Sequence, residues 1–379
     1  MRAEPAVPVE ALAPIRAPFE ALGAETVDAP ILQPLGLLLE LAGEAMRARL
    51  FVVQSEGGQE TCLRPDFTVP VVRQHLESGR TSGRYFYEGK AFRASPEPGR
   101  AEEFRQIGLE RFDEDGASSV VADAEIALLA WRSALAGGRS DLSLWLGDIA
   151  LFAAFVDALG LAQPLAARLK RVAARPRLLA AELARAENPE PAAAEGARLA
   201  GLLSGLSEAD AAVVLEEMWA LAGIDPVGGR GPAEIAQRLI RRAEAAQAPS
   251  LTPAQADAIR QFLAVEDRPA AAFAAIKAIG GQRPGALDAA LAAWEERLAL
   301  LEQGGVPADR IRFASALGHA FDYYDGLSFE VRSEALDPER AVAVGGRYDG
   351  LPARLGGAAG ARAVGCMVRP WRAWAGGEA

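Results

Sequence analysis

The chain has 379 residues, more than one hydrophobic core ordinarily serves, so two folding units are expected, one inserted in the other. No uninterrupted apolar run approaches the roughly 20 residues of a bilayer span, and the acidic, proline-containing N-terminus is unlike a signal peptide, which points to a soluble, cytoplasmic protein without a membrane partner. A net charge of −11 argues against a broad nucleic-acid footprint, Cys62 and Cys366 are too far apart for a disulfide framework or zinc spacing, and His75 and His319 alone make histidine metal sites improbable; no metal or cofactor is expected.

Leu12, Ile15, Phe19 and Leu22 recur at helical spacing and predict a helix from Val9 to Leu22, which Pro14 and Pro18 weaken. Glu25 to Leu32 alternates like an edge strand ending at Pro30. Phe51–Val53 and Glu60–Arg64 form a hairpin around Gly57-Gly58, where paired glycines supply positive φ. Pro65 stops that strand, and a helix runs from Val69 to Leu76 with Pro70 in its first turn. Arg84–Arg93 and Phe104–Phe112 read as antiparallel strands joined by a glycine- and proline-containing loop from Ser95 to Gly99. A helix from about Asp123 to Leu135, a strand at Leu142–Leu146 and a helix at Ile149–Leu159 follow.

Beyond about Leu165 the composition turns to alanine, leucine, arginine and glutamate, without strand alternation until Arg310. That stretch predicts a helical insertion, 166–285, within a sheet-rich domain of residues 1–165 and 286–379. Thr252-Pro253-Ala254-Gln255 spells a helix start with a reciprocal cap, Gly229 to Pro232 breaks the chain before a helix carrying Ile235 and Leu239, and Gly280 to Gly285 marks the exit into a helix over Leu287–Leu301. Strands return at Ile311–Ala314, Leu327–Val331, Ala341–Val344 and Ala363–Val368. The fold class is α+β, an antiparallel sheet flanked by helices.

Asp66 and Thr68 follow a strand-ending proline, where a carboxylate can hold an ammonium group; from spacing alone, capping of the next helix is favoured. Arg93 suits a planar oxyanion, although a surface ion pair is the commoner fate of a single arginine. Gln106 and Glu110 share one face of a strand, with Gly108 leaving room between them for a small polar ligand; a solvated face has the same pattern. Tyr323, Tyr324 and Tyr348 offer flat walls with hydroxyl tips, suited to an aromatic or imidazole ligand, although lone tyrosines are more often core residues.

Taken in order, Leu63-Arg64-Pro65-Asp66 with Thr68, Phe92-Arg93, Phe104-Arg105-Gln106-Ile107-Gly108-Leu109-Glu110, Asp322-Tyr323-Tyr324-Asp325-Gly326 and Gly345-Gly346-Arg347-Tyr348-Asp349-Gly350 resemble the histidyl-tRNA synthetases. The resemblance implies the class II aminoacyl-tRNA synthetase fold over both sheet-rich ends. It implies that Asp66, Thr68 and Gln106 hold the α-amino group of histidine, that Glu110 and Tyr324 address the imidazole, and that Tyr348 stands at the pocket wall. The ATP positions depart from that family. His319-Ala320-Phe321 stands where an Arg-Gly pair is expected, Ala94-Ser95-Pro96 replaces a charged loop, Glu102 occupies an arginine position, and Arg369-Pro370-Trp371-Arg372 crowds the adenine site; no anticodon-binding domain follows.

This combination resembles the regulatory subunits of ATP phosphoribosyltransferase, synthetase-like proteins of histidine biosynthesis. It implies a non-catalytic chain that pairs with itself, assembles with the short-form catalytic subunit, supports its activity and its inhibition by histidine, and binds histidine through Asp66, Thr68, Arg93, Gln106, Glu110, His319, Tyr323, Tyr324 and Tyr348. The alternatives are a stand-alone histidine-adenylating enzyme and a tRNA-binding regulator.

Overall fold

The computed structural model describes residues 2–42, 44–54, 57–58, 60–114, 116, 118–187, 210, 213–214, 217–218, 250–280, 283, 285–317, 323–358 and 360–377. The chain groups into two compact units: residues 1–160, 173–175 and 259–379 form the first, and residues 161–172 and 176–258 the second. The predicted break at Gly229–Pro232 and the helix with Ile235 and Leu239 lie outside the described residues.

The first unit opens with α1 (Val9–Glu20), in which the packing of Leu12, Ile15 and Phe19 holds the helix through Pro14 and Pro18. The predicted edge strand divides around Pro30: β1 (Glu25–Thr26) runs parallel to β5 (Gly83–Phe92), whereas β2 (Leu32–Pro34) joins β3 (Val52–Gln54) and β4 (Glu60–Leu63) in a separate three-stranded sheet. Proline fixes φ and has no N–H to give a ladder, so one continuous strand cannot pass through it unbroken. The β3–β4 pair has Val52 opposite Cys62 and turns at Gly58, φ +75°, as the paired glycines predict.

Helix α2 (Leu35–Ala42) follows β2, and α3 (Thr68–Glu77) follows β4 and leads to the main sheet. The sheet continues with β6 (Glu103–Asp113), then α4 (Ser119–Leu135), β7 (Leu142–Asp148) and α5 (Ile149–Ala158). The second unit contains α6 (Gln163–Val172) and α7 (Pro176–Glu187). At the start of α8 (Pro253–Leu263) the capping box forms as read from sequence: the Gln255 amide N–H donates to Thr252 Oγ1 at 3.2 Å, and the Thr252 N–H to Gln255 Oε1 at 3.0 Å.

The chain then adds β8 (Glu266–Asp267), α9 (Pro269–Ile279), α10 (Gly285–Gln303), β9 (Ile311–Ala314), β10 (Leu327–Ser333), β11 (Ala343–Arg347), α11 (Gly350–Arg354), β12 (Arg362–Val368) and α12 (Pro370–Ala373). Strand order is β1-β5-β6-β12-β11-β10-β7-β9-β8, antiparallel except at the β1–β5 and β7–β9 pairs. Strand β8 is new relative to the sequence reading: two exposed acidic residues carry no alternation to detect.

Asp123 lies within α4, in a helix that begins earlier than its apolar pattern suggests. It is 1% exposed and accepts from Arg297 Nη2 of α10 at 2.8 Å and from Arg347 Nε of β11 at 2.8 Å. One buried carboxylate thus ties two helices to the sheet. Cys62 and Cys366 are both buried and free. Among the described residues no helix is long and apolar enough to cross a membrane.

Candidate functional site

A cavity of about 1010 Å³ opens over β5, β6 and β12 of the first unit. Asp66, Thr68, Arg93, Gln106, Glu110, Tyr323 and Tyr324 all line it, although they come from four separate stretches of chain. His319 lies outside the described residues. Tyr348, predicted at the wall, stands behind it: 1% exposed, its hydroxyl donates to Glu110 Oε2.

Strand register explains how Glu110 reaches this position. Gly365 of β12 sits opposite Glu110, and a Cβ there would lie 1.6 Å from Glu110 Oε2. A glycine in a strand pattern marks such a close approach. Gly108 performs a different task from the predicted one: opposite Tyr87 in the ladder, its missing side chain makes room for the Tyr87 ring and hydroxyl, not for a ligand. Tyr87 stacks on Phe67 with centroids 4.4 Å apart and points its hydroxyl at Glu110 Oε1, 3.3 Å away. Neither Tyr87 nor Gly365 was singled out from the sequence. The signals were the aromatic run facing a glycine and the isolated glycine in a strand.

Glu110 Oε1 also accepts from Thr68 Oγ1 at 2.8 Å, so three hydroxyls converge on one carboxylate. Burial nevertheless dominates and pushes Glu110 from 4.5 up to about 8, against the opposing pull of Tyr348 and Thr68. Because the folded state then holds a proton that the unfolded state releases near 4.5, this group's stabilising contribution is fully present below that value and is lost as pH rises through about 8. Glu110→Gln is therefore expected to flatten a slope of up to about 1.4 kcal/mol per pH unit between these limits. Urea titrations across the range check this; identical pH profiles for the two proteins would place the folded-state proton elsewhere.

Asp66 is 5% exposed and accepts from the Tyr323 hydroxyl at 3.2 Å. The formal cap position of α3 is Phe67, without a side-chain cap bond; Asp66, one residue earlier, faces the Thr68 and Val69 amides of the first turn. Burial raises Asp66, while the Arg93 charge, Tyr323 and the Val69 and Thr68 amides lower it. Asp66 Oδ1 and both amide atoms of Gln106, which is 0% exposed, are buried without hydrogen-bond partners among the described residues. Leaving buried polar atoms unmade costs about 1–3 kcal/mol each, so their grouping in one cavity is chemically specific. Tyr323 and Tyr324 tilt together at 4.8 Å, and Gly346 leaves space for the Tyr324 ring, since a Cβ there would lie 2.6 Å from it.

Beside the cavity, the N-terminal segment binds the stretch that includes its lining residues Ser95 and Arg100. The Arg2 N–H donates to Glu102 at 3.0 Å, Arg2 Nε to the Arg100 carbonyl at 2.9 Å and Arg2 Nη2 to the Ser95 carbonyl at 2.8 Å. Ala3 bridges Glu103 in parallel, and the Glu4 N–H donates to the Glu103 carbonyl at 2.8 Å. Glu102, an unexplained acid in the sequence, is held below its ordinary value first by the Arg2 amide. Arg369 pairs with Glu4 at 2.5 Å and covers the Phe104 ring at 3.7 Å. Trp371, expected to crowd a nucleotide, instead packs edge-on against Trp374. Arg93 Nε donates to the Pro65 carbonyl at 2.8 Å. Glu102 and Arg369, two of the positions at which the sequence departs from the synthetase pattern, are thus engaged within the chain.

A long antiparallel sheet, a carboxylate and amide pole, and a tyrosine wall together define a chain of the histidyl-tRNA synthetase type. The family model described as histidyl-tRNA synthetase matches residues 9–225 and 233–370. The fold is similar to that of an ATP phosphoribosyltransferase regulatory subunit/histidyl-tRNA synthetase from Bacillus halodurans (TM-score 0.60, 20% identity, 95% of this chain and 76% of that one). It is also similar to the histidyl-tRNA synthetase of Nostoc sp. (TM-score 0.59, 16% identity, 96% of this chain and 70% of that one). In sequence the chain is 35% identical over 360 residues to the ATP phosphoribosyltransferase regulatory subunit of Brucella anthropi, covering 93% of each. It is 37% identical over 360 residues to that of Mesorhizobium japonicum, covering 92% of each. The chain belongs to the family of ATP phosphoribosyltransferase regulatory subunits.

Proposed function

We propose that this chain is a non-catalytic, cytoplasmic regulatory subunit that activates a short-form ATP phosphoribosyltransferase catalytic subunit in the first step of histidine biosynthesis and carries its histidine sensitivity. The observation that carries the ligand reading is the set of orphaned buried atoms, Asp66 Oδ1 and the Gln106 amide, in the same cavity as Glu110 and the tyrosines. The ammonium of histidine would satisfy Asp66 and Gln106 Oε1, and its imidazole would lie between Glu110 and Tyr324. Absence of adenylation is supported by the engagement of Glu102 by Arg2 and of Arg369 by Glu4.

Inhibition requires that histidine bind the less active assembly more tightly than the active one. Self-pairing through the sheet-rich part is supported by the exposed apolar Ile31, Leu32, Val52 and Val53 on and beside the three-stranded sheet. A helical insertion interrupting the synthetase-like domain completes the proposal. Its expected bounds are 166–285; the grouping of residues 259–285 with the first unit, where β8 pairs with β9, supports an earlier exit.

The test mixes the purified chain with the short-form catalytic subunit from the same source and follows phosphoribosyl-ATP formation with and without histidine. Activity that requires the chain and falls with histidine supports the proposal. No stimulation and no complex with a folded partner would overturn it, and histidine-dependent exchange of pyrophosphate into ATP would then identify an adenylating enzyme.

A further inference from the structure

Towards the β8 edge of the main sheet a second cleft, of about 430 Å³, shares no lining residue with the first. Its floor is Trp145 of β7, paired in register with Arg312 of β9 on one side and Glu330 of β10 on the other. The indole N–H donates to Ser143 Oγ at 3.0 Å, and the Arg332 guanidinium covers the ring at 4.4 Å while bound to Glu330 at 2.7 Å. The ring is therefore fixed from two directions.

Three further arginines, Arg268, Arg310 and Arg312, line the cleft together with Asp309 and Glu334. Arg312 is anchored through one nitrogen only: Nη1 donates to the Asp309 carbonyl at 2.9 Å and the Ile311 carbonyl at 3.0 Å. Its Nε and Nη2 edge, the fork that grips an oxyanion bidentately, has no partner among the described residues. The exposed Arg268 guanidinium likewise has none, and Arg310 reaches Glu334 only at 3.7 Å. The lining carries one more positive than negative charge, and its carboxylates leave the forks of Arg268 and Arg312 open. A single solvated arginine needs no ligand. Two open forks beside an immobilised indole, in a cleft of small-ligand size, form a recognition surface.

We propose that this cleft binds a small phosphate monoester carrying a planar ring, of the nucleoside monophosphate class, with the phosphate on Arg268 and Arg312 and the ring against Trp145. Such a site shares no lining residue with the histidine cavity, although Arg332 and Glu330, which hold Trp145 in place, line that cavity. Ring stacking adds to the phosphate contacts, so AMP should bind about fivefold or more tightly than inorganic phosphate.

Calorimetry on the full chain with AMP, adenosine and inorganic phosphate as probes tests this. The expected result is saturable 1:1 binding of AMP, weakened about tenfold or more in Arg268→Ala/Arg312→Ala and unchanged in Gln106→Leu, which leaves this cleft intact. Arg268→Ala alone removes an exposed side chain and serves as the variant whose folding is not in question; it should weaken AMP in the same direction. Absence of saturable binding at millimolar AMP, binding undiminished in the arginine variants, or binding lost in Gln106→Leu would each overturn the proposal.

Discussion

Asp123→Ala is expected to destabilise the protein by about 3–5 kcal/mol, the usual consequence of removing one partner from a buried ion pair. Both partners of this carboxylate are themselves buried, Arg297 at 6% and Arg347 at 5% exposed, so neither guanidinium can turn to water. Arg297 has a fallback in the Trp294 ring, 4.6 Å from its centre, and Arg347 in Asp349 at 2.8 Å, but neither replaces a shared carboxylate at hydrogen-bond distance. Asp123→Asn keeps the size and one acceptor and should fall between the two. Urea denaturation of the three proteins measures the series. A loss below about 1 kcal/mol for alanine would mean that the arginines find solvent and that the network contributes little. The damage should also reach the cavity, because Tyr348, which donates to Glu110, follows Arg347 directly in the chain.

The strands and the ordered motifs were legible because they depend on local chemistry. Alternation located β5, β6, β7 and β12 within a few residues, Gly58 announced its turn, and Thr252 with Gln255 announced a cap that forms atom for atom. Seven of the nine expected histidine-cavity residues share one cavity, since the order of motifs along a chain encodes which loops a known type of sheet brings together. What escaped was long-range. Nothing local says that Glu102 answers to Arg2, 100 residues away, or that Arg369 answers to Glu4, 365 residues away. Gly108 was assigned to a ligand for the same reason: a missing side chain is visible in sequence, but the Tyr87 ring that fills the space is fixed by cross-strand register. Strand β8 is too short and too polar for any periodicity to register.

Gln106→Leu should move stability and ligand affinity in opposite directions, which separates a binding residue from a structural one. The Gln106 amide is 0% exposed with neither atom bonded among the described residues, and leucine of similar volume removes that penalty. The variant should therefore be as stable as the parent or more stable by about 1–3 kcal/mol. Histidine binding should weaken by about tenfold to a hundredfold, because a hydrogen bond to the charged ammonium contributes about 1.5–3 kcal/mol and the leucine offers no acceptor. Thermal unfolding without ligand and calorimetry with histidine give the two readings on the same sample. A destabilised variant would reveal a structural partner for Gln106 and remove the physical basis for placing a ligand there. An unchanged affinity with unchanged stability would keep the cavity but exclude Gln106 from contact with histidine, leaving Asp66 as the remaining buried acceptor for the ammonium. A protein at least as stable as the parent that binds histidine more weakly is the result expected of a site in which Gln106 meets the ligand.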